Sequence, residues 1–271
     1  MKITDVESLI LQYELDEPLG YSQQFYSRRT CHLVRVSTDD GLTRLGEAFG
    51  GGGIAFANAA IVQHVLRPLV LGRYLREISV IWHQAYNLMR DHGQKGMPIQ
   101  ALSALDNALW DNLGRSTGLP LYRLLGGPFR KRFKAYGYGM MFRHDKDLVL
   151  AFEREAAGIA AMGFTAAKLK IGMGPVKDLE LAAAVRRGAG GGLKLMADAN
   201  HAYTAGEAIR IGRGLRDLDF YWFEEPVPPE DYEGNREVKA VLPGLLIAGG
   251  EAEFTRWGFR VLLGRRCVDI V

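Results

Sequence analysis

The sequence predicts an α/β protein, with an N-terminal α+β domain over residues 1–128 and a partial barrel of alternating strands and helices over residues 129–271. Three observations predict this fold class. Strand patterns precede helix patterns in the first part, and the two alternate in the second, which is typical of a parallel sheet. In the second part, charged clusters also close short apolar runs at nearly even intervals, and such a period indicates a repeated supersecondary unit.

The first domain takes its predicted strands from runs of β-branched and aromatic residues and its helices from apolar residues at helical spacing. Strands are predicted at 2–13, 30–38 and 43–49, and helices at 55–69, 76–90 and 98–117. A turn is predicted at Thr38-Asp39-Asp40-Gly41. Gly118-Leu119-Pro120 ends the last helix, and Gly126-Gly127-Pro128 marks the domain boundary.

The second domain alternates between the two element types. Strands are predicted at 133–141, 165–171, 193–198, 220–224, 245–249 and 266–271, and helices at 147–162, 176–188, 205–216, 231–241 and 254–263. This gives about six strands, and the chain stops inside the sixth. A barrel of eight strands cannot close on six, so we expect an incomplete barrel whose C-terminal portion is missing.

The charged clusters fall where the predicted strands end. The spacing is 28 residues from Lys170 to Asp198, 26 from Asp198 to Glu224, and 27 from Glu224 to Glu251. The C-terminal ends of barrel strands are where such folds gather their chemistry. Three carboxylates that converge there repel one another unless a cation lies between them, and hard oxygen ligands suit Mg²⁺. Each carboxylate alone is more typical of a helix cap or a loop salt bridge, but three at matched spacing favour a metal site.

Two lysines share one strand. Lys168 and Lys170 lie two residues apart, so both side chains point to the same face. Mutual repulsion and a nearby divalent cation are expected to lower the lysine pKa towards a value useful for a base. A pair of exposed lysines beside a loop is the alternative for this motif taken alone. Asn200 and Glu225 are expected to orient metal ligands or to pair with the lysines.

Composition excludes several classes of protein. A net charge of +3 over 271 residues, without a long basic run, argues against nucleic-acid binding. We expect no membrane span, because no run approaches 18 uninterrupted apolar residues. The two cysteines share no local motif, and residues 1–15 lack a signal-peptide pattern, so a cytoplasmic location is expected.

These residues together resemble the enolase superfamily, and within it the mandelate racemase group. Besides the four clusters, the segment 101–126, which contains Asp106, Trp110 and Asp111, is similar to that family's helix before the barrel. The resemblance implies an α+β capping domain on a modified (β/α)7β barrel. Glu224-Glu225-Pro226 and Gly250-Glu251 favour the mandelate racemase group over the muconate-lactonizing group.

The resemblance also implies roles for residues of the site. Asp198, Glu224 and Glu251 would hold Mg²⁺, and Lys170 would be the base, assisted by Lys168. The Asp–His pair that such enzymes carry on the sixth and seventh strands would lie beyond Val271. Substrate contacts are expected from the hairpin containing Tyr21, Arg28 and Arg29, from the loop Gly50-Gly51-Gly52-Gly53, and from His201. A solvated hairpin tip, a flexible loop and a helix-start role are the respective alternatives.

The implied reaction is abstraction of a proton α to a carboxylate through an enediolate. We expect dehydration of an acid sugar, an aldonate or aldarate, to a 2-keto-3-deoxy acid. The alternatives are a racemase, epimerase or cycloisomerase that uses the same chemistry, or an inactive fragment that lacks the Asp–His pair. The expected partner is a small carboxylic acid, and the full-length protein is expected to be a homo-oligomer.

Overall fold

Three strands open the chain in the computed structural model, which describes residues 1–144 and 147–271. They form one sheet in chain order, in which the second and third strands are antiparallel: β1 (Ile3–Tyr21), β2 (Gln24–Thr38) and β3 (Thr43–Ala48). The last part of β2 buries every second residue from His32 to Thr38, as alternation across a half-buried sheet requires. β1 and β2 continue past the predicted strands to a turn at Ser22-Gln23.

Five helices follow the sheet: α1 (Gly53–Ile61), α2 (Arg67–Val70), α3 (Ile78–Met89), α4 (Met97–Thr117) and α5 (Leu121–Leu124). The long helix α4 has Pro98 in its first turn and ends at Gly118, which has a left-handed φ of 67°. It packs closely on β3 at Gly46. A Cβ at Gly46 would lie 2.8 Å from the Ala108 nitrogen and closer still to the Ala104 carbonyl oxygen, so only glycine allows this approach.

The apolar segment 53–70 bears on the expectation that no membrane span exists. It joins α1, a π-helical turn at Val62–Leu66 and α2, and its length and mean hydropathy of 1.2 would suffice to cross a membrane. Its buried residues are Ala55, Asn58, Val62, Leu66 and Val70. Because α1 and the π-helical turn also pack against α4, one face of the segment belongs to the first folded unit. A single segment of this length and composition is weak evidence for a membrane span.

A parallel five-stranded sheet occupies the second part of the chain. Its strands lie in sequence order: β4 (Gly137–Tyr138), β5 (Ala166–Lys170), β6 (Lys194–Asp198), β7 (Phe220–Glu224) and β8 (Leu246–Ala248). Neighbouring strands are all parallel. An α/β fold with a barrel-like parallel sheet was predicted, and the structure confirms this fold class.

The described residues form five of the about six barrel strands expected, and the sixth is present as a single parallel bridge. The predicted strand 133–141 is reduced to β4, and the segment 266–271 contributes only one bridge, between Ile270 and Ala248. At this sheet edge the Asp269 carboxylate accepts the Ile247 N–H at 2.9 Å. A side chain thus takes a place that a strand carbonyl would fill, which interrupts the ladder.

Four helices separate the strands of this sheet and a fifth follows β8: α6 (Leu148–Ala161), α7 (Pro175–Ala189), α8 (Ala205–Asp217), α9 (Tyr232–Val241) and α10 (Thr255–Gly264). Side-chain caps set the starts of α6, α8 and α9. Thr204 and Glu207 form a reciprocal capping box at α8, and Asp231 accepts the Gly234 N–H at α9. The buried faces of these helices and strands share one apolar core that includes Phe152, Leu169 and Phe223.

The chain divides into two compact units. The first contains residues 1–15 and 28–132, and the second contains residues 16–27 and 133–271. The tip of the β1–β2 hairpin, residues 16–27, therefore belongs with the parallel sheet rather than with the rest of the N-terminal sheet. The C-terminal ends of β5, β6 and β7 also lie within this second unit.

Candidate active site

Adjacent strand ends place three charged residues side by side. In the parallel register Lys170 of β5 lies opposite Asp198 of β6, and Asp198 lies opposite Glu224 of β7. Lys168 precedes Lys170 by two residues, so both lysines point to one face. The predicted convergence of Lys168, Lys170, Asp198 and Glu224 is therefore what the structure contains.

The ammonium group of Lys168 lies between two carboxylates. Its Nζ donates to both oxygens of Glu224 at 2.8 Å and is 3.2 Å from Oδ2 of Asp198. The lysine is buried, so the interaction is only weakly screened. Asp198 and Glu224 are thus close enough for a single cation to contact both.

Lys170 is held by a carboxylate and an amide. Its Nζ donates to Oδ2 of Asp198 and to Oδ1 of Asn200, both at 2.6 Å. Lys170, Asp198 and Asn200 are all buried. Two acceptors in fixed positions therefore define where the Lys170 amine points.

The expected lowering of the lysine pKa is wrong in this structure. Burial lowers the pKa of Lys168, but attraction to Asp198 and Glu224 outweighs it, and the pKa lies above the ordinary value. For Lys170, burial again lowers the pKa, while Asp198 raises it more, and the repulsion from Lys168 is a minor effect. The expectation rested on repulsion between the two lysines and from a cation, which lowers the lysine pKa. Here each ammonium contacts carboxylates directly, and this attraction raises the lysine pKa.

Asn200 and Glu225 link this cluster to His201. The Asn200 amide donates to Oε2 of Glu225 at 3.3 Å, and the His201 Nε2 lies 3.2 Å from the same oxygen. Burial raises the pKa of Glu225 to about 8, with smaller contributions from three nearby carboxylates, Glu251, Asp198 and Glu224. Oε1 of Glu225 is buried and has no hydrogen-bond partner within the described residues. The pairing expected for Asn200 is present, and Glu225 contacts Asn200 and His201 instead of a lysine.

Of the three expected metal ligands, Glu251 lies farthest outside the network of direct contacts. It lies three residues beyond β8 and is exposed, and it acts on Glu225 through its charge. In residues 1–144 and 147–271 no group of three His, Cys, Asp or Glu side chains is arranged to hold a metal ion. The donor set nevertheless fits Mg²⁺ in chemistry, because Asp198 and Glu224 already share one cationic group and offer hard oxygens.

Three tyrosines surround the two ammonium groups, and sequence reasoning identified only one of them. The Tyr138 ring centre lies 5.7 Å from Nζ of both Lys168 and Lys170, and the Tyr136 ring centre lies 5.9 Å from Lys168. The Tyr21 ring lies 5.8 Å from Lys170. Such distances give a cation–π attraction. The alternation Tyr136-Gly137-Tyr138 was the available signal, since residues two apart share a face of a strand.

The other candidate substrate residues are placed as follows. Arg28 forms an ion pair with Glu14 across the hairpin, within the first unit. Arg29 is exposed in the same unit, and the loop Gly50-Gly51-Gly52-Gly53 precedes and begins α1. Tyr21 of the hairpin contacts Lys170, and His201 contacts Glu225.

Both parts of the chain match known protein families. Residues 5–126 match the N-terminal domain of the mandelate racemase / muconate lactonizing enzyme family, and residues 151–271 match the enolase C-terminal domain-like family. D-galactarolactone cycloisomerase of Agrobacterium fabrum is 40% identical over 271 residues, which cover 100% of this chain and 70% of that protein.

The chain belongs to the mandelate racemase / muconate lactonizing enzyme family of the enolase superfamily. This confirms the resemblance inferred from the clusters.

Two further proteins are similar to this chain. Arabinonate dehydratase of Saccharolobus solfataricus is 35% identical over 239 residues, which cover 88% of this chain but only 63% of that protein. The crystal structure of a racemase from Streptomyces coelicolor with bound magnesium superposes with a TM-score of 0.90 at 31% identity, covering 98% of this chain and 74% of the racemase. The chain therefore spans about two thirds of the length of its relatives.

Proposed function

We propose that this chain abstracts the proton α to the carboxylate of an acid sugar, with Lys170 as the base and Lys168 assisting it. The observation that carries the proposal is the position of the Lys170 amine, which is held by Asp198 and Asn200 at 2.6 Å each. A general base must be fixed within hydrogen-bond reach of the proton it takes. Two short, buried hydrogen bonds supply that fixation.

The ligands of Mg²⁺ in this proposal are Asp198, Glu224 and Glu251. Asp198 and Glu224 fit because they share one cation already, and Glu251 fits because its charge is felt at Glu225. When bound, Mg²⁺ supplies Lewis-acid stabilisation of negative charge on the substrate carboxylate and offsets the charge of Asp198 that otherwise favours protonated Lys170. In this proposal Asn200 orients the Lys170 amine, and Glu225 holds the Asn200 side chain by accepting a hydrogen bond from its amide.

Dehydration to a 2-keto-3-deoxy acid is the leading outcome. Loss of the α-proton places negative charge next to a β-hydroxyl. This hydroxyl takes up a proton from solvent and leaves as water, and the resulting enol tautomerises to the 2-keto-3-deoxy acid. The dehydratase that is 35% identical supports this outcome. Cycloisomerisation of a sugar-acid lactone is the second candidate, because the cycloisomerase that is 40% identical matches the whole chain. Both begin with the same proton abstraction.

Exchange of the α-proton with deuterated solvent tests the shared step directly. The 271-residue chain would be incubated with Mg²⁺ and a panel of aldonic acids, aldaric acids and their lactones, and proton NMR would record loss of the α signal. Formation of a 2-keto acid identifies dehydration, ring opening or closure without it identifies cycloisomerisation, and exchange alone identifies racemase or epimerase chemistry.

Lys170→Ala is expected to abolish exchange and to leave the Mg²⁺ affinity nearly unchanged, since Lys170 is not a ligand. Lys177→Ala is the matched control, because Lys177 pairs only with Glu180 on an exposed helix face. Exchange that continues at the wild-type rate in Lys170→Ala would remove Lys170 from the base role. Absence of exchange with every acid on the panel would refute the proposed function of the chain.

A further inference from the structure

The tip of the β1–β2 hairpin lies against the carboxyl ends of three barrel strands. Gly20 and Phe142, which follows β4, exchange two backbone hydrogen bonds of 2.7 and 2.8 Å. Beyond β5, Gly172 has φ +131°, and a Cβ there would overlap the Cβ of Ser22. Only glycine at 172 therefore lets Ser22 approach this closely.

The third contact is made with the segment that follows β6. The Ser22 hydroxyl lies 2.7 Å from the carbonyl oxygen of Ala199 and 3.0 Å from that of Asn200. The Gln23 amide donates to the same Asn200 carbonyl at 2.8 Å. These bonds join residues 177 to 178 positions apart in the chain, so they tie the hairpin tip to the barrel rather than stabilise the turn itself.

Asn200 is the residue through which this contact reaches the base. Its backbone is left-handed, with φ +44°, a conformation that asparagine tolerates better than most residues but that still needs support. Its side-chain oxygen accepts the 2.6 Å hydrogen bond from Lys170, and its N–H donates to Oδ1 of Asp198 at 3.1 Å. Ser22 and Gln23 thus hold the backbone carbonyl of Asn200, while the Asn200 side chain holds the amine of Lys170.

We propose that Ser22 and Gln23 are positioning residues, which fix Asn200 and through it the amine of Lys170 when the hairpin tip is closed on the barrel. The proposal rests on the proposed role of Lys170 as the base. Neither residue needs to touch the substrate for this role. If the hairpin tip served only as a wall of the substrate site, its loss would change substrate affinity. A tip that positions Lys170 instead changes the rate of proton abstraction.

The first test is a split between kcat and KM. Ser22→Ala, Gln23→Ala and the double variant would be compared with Ser27→Ala, an exposed serine on the same tip. Each lost hydrogen bond is expected to lower kcat for α-proton exchange up to about tenfold, and KM is expected to change much less. Rescue of part of the rate by Gln23→Asn, which keeps the amide donor, is expected as well. Unchanged kcat, or a change confined to KM, overturns the proposal.

The second test does not need turnover, so it separates this proposal from the proposed function. Acetylation of lysines by an activated ester would be followed by mass spectrometry, with Lys177 as the internal reference. Loss of the Ser22 and Gln23 bonds is expected to speed acetylation of Lys170 severalfold and to speed amide hydrogen exchange at residues 199–203. If both rates stay at the wild-type value, the tip does not position Lys170, whether or not the chain turns over an acid sugar.

Discussion

Asp178 offers a sharp test of the electrostatics beneath the lysine strand. This carboxylate is fully buried in the first turn of α7 and accepts the N–H groups of Gly172 and Met173 at 3.0 Å. It thereby fixes the loop that follows β5. Burial raises the pKa of Asp178 from 3.8 to about 6, and the backbone hydrogen bonds offset only part of that effect.

The sign of the stability change follows from proton binding. The folded state binds the Asp178 proton more tightly than the unfolded state, so the free energy of unfolding falls as the pH rises from below 3.8 to above about 6. A pKa difference of about 2 corresponds to about 3 kcal/mol in all. About 2 kcal/mol of this is expected between about pH 4.5 and about pH 7.5.

Asp178→Asn removes this titration and keeps a side-chain acceptor for the loop. Urea unfolding of the two proteins would be measured across this pH range by tryptophan fluorescence. The free energy of unfolding of the wild type, relative to Asp178→Asn, is expected to decrease by about 2 kcal/mol as the pH rises. Asp217→Asn, which removes an exposed carboxylate from α8, controls for the loss of one negative charge. A difference between wild type and Asp178→Asn that stays constant with pH would refute the reasoning.

Three other predictions concern packing, the metal and a helix cap. Gly46→Ala is expected to destabilise the first unit by about 1–3 kcal/mol in urea unfolding, because its Cβ overlaps the Ala104 carbonyl. Gly51→Ala is the control: its Cβ meets no atom within 4 Å, so urea unfolding should change little. Glu251→Gln is expected to weaken Mg²⁺ binding in titration calorimetry at least severalfold through the loss of a charged ligand, and an unchanged isotherm would remove Glu251 from the ligand set. Thr204→Ala is expected to lower the thermal unfolding temperature, because loss of this N-cap costs about 1 kcal/mol; an unchanged temperature would show that the capping box does not stabilise α8.

Elements with strong local patterns were predictable from the sequence. The helix predicted at 205–216 is found at 205–217, and the strand predicted at 220–224 is found with the same bounds. In both cases the local residues decide the outcome, through an N-cap and an amphipathic face or through an aromatic run.

Elements whose extent depends on distant partners were not predictable. Residues 14–21 contain acidic residues and a proline, which are typical of a loop, but they pair with β2. The segment 266–271 has strand composition, yet the Asp269 side chain occupies part of its ladder. Strand pairing overrides local propensity in residues 14–21, and a side-chain hydrogen bond does so in residues 266–271.

The site shows the same division. Even spacing predicted that Lys170, Asp198 and Glu224 meet, since parallel strands bring their ends together. Glu251, which the same spacing includes, is exposed beyond β8. It could not predict the direction of the lysine pKa, which depends on whether an ammonium faces another ammonium or a carboxylate. The hydrogen bonds of Ser22 and Gln23 to backbone carbonyls likewise have no sequence signature, because any residue supplies the acceptor.

The left-handed backbone at Asn200, His201 and Glu225, with φ between 44° and 66°, limits how this candidate site could be redesigned. Valine, isoleucine or threonine at these three positions would add steric conflict to any change in chemistry. A mutant library that seeks new substrates would therefore keep more folded members if it varied Tyr138 of β4 and Tyr136 just before it, neither of which has a positive φ. Variation at Asn200, His201 and Glu225 would instead produce many variants that fail to fold.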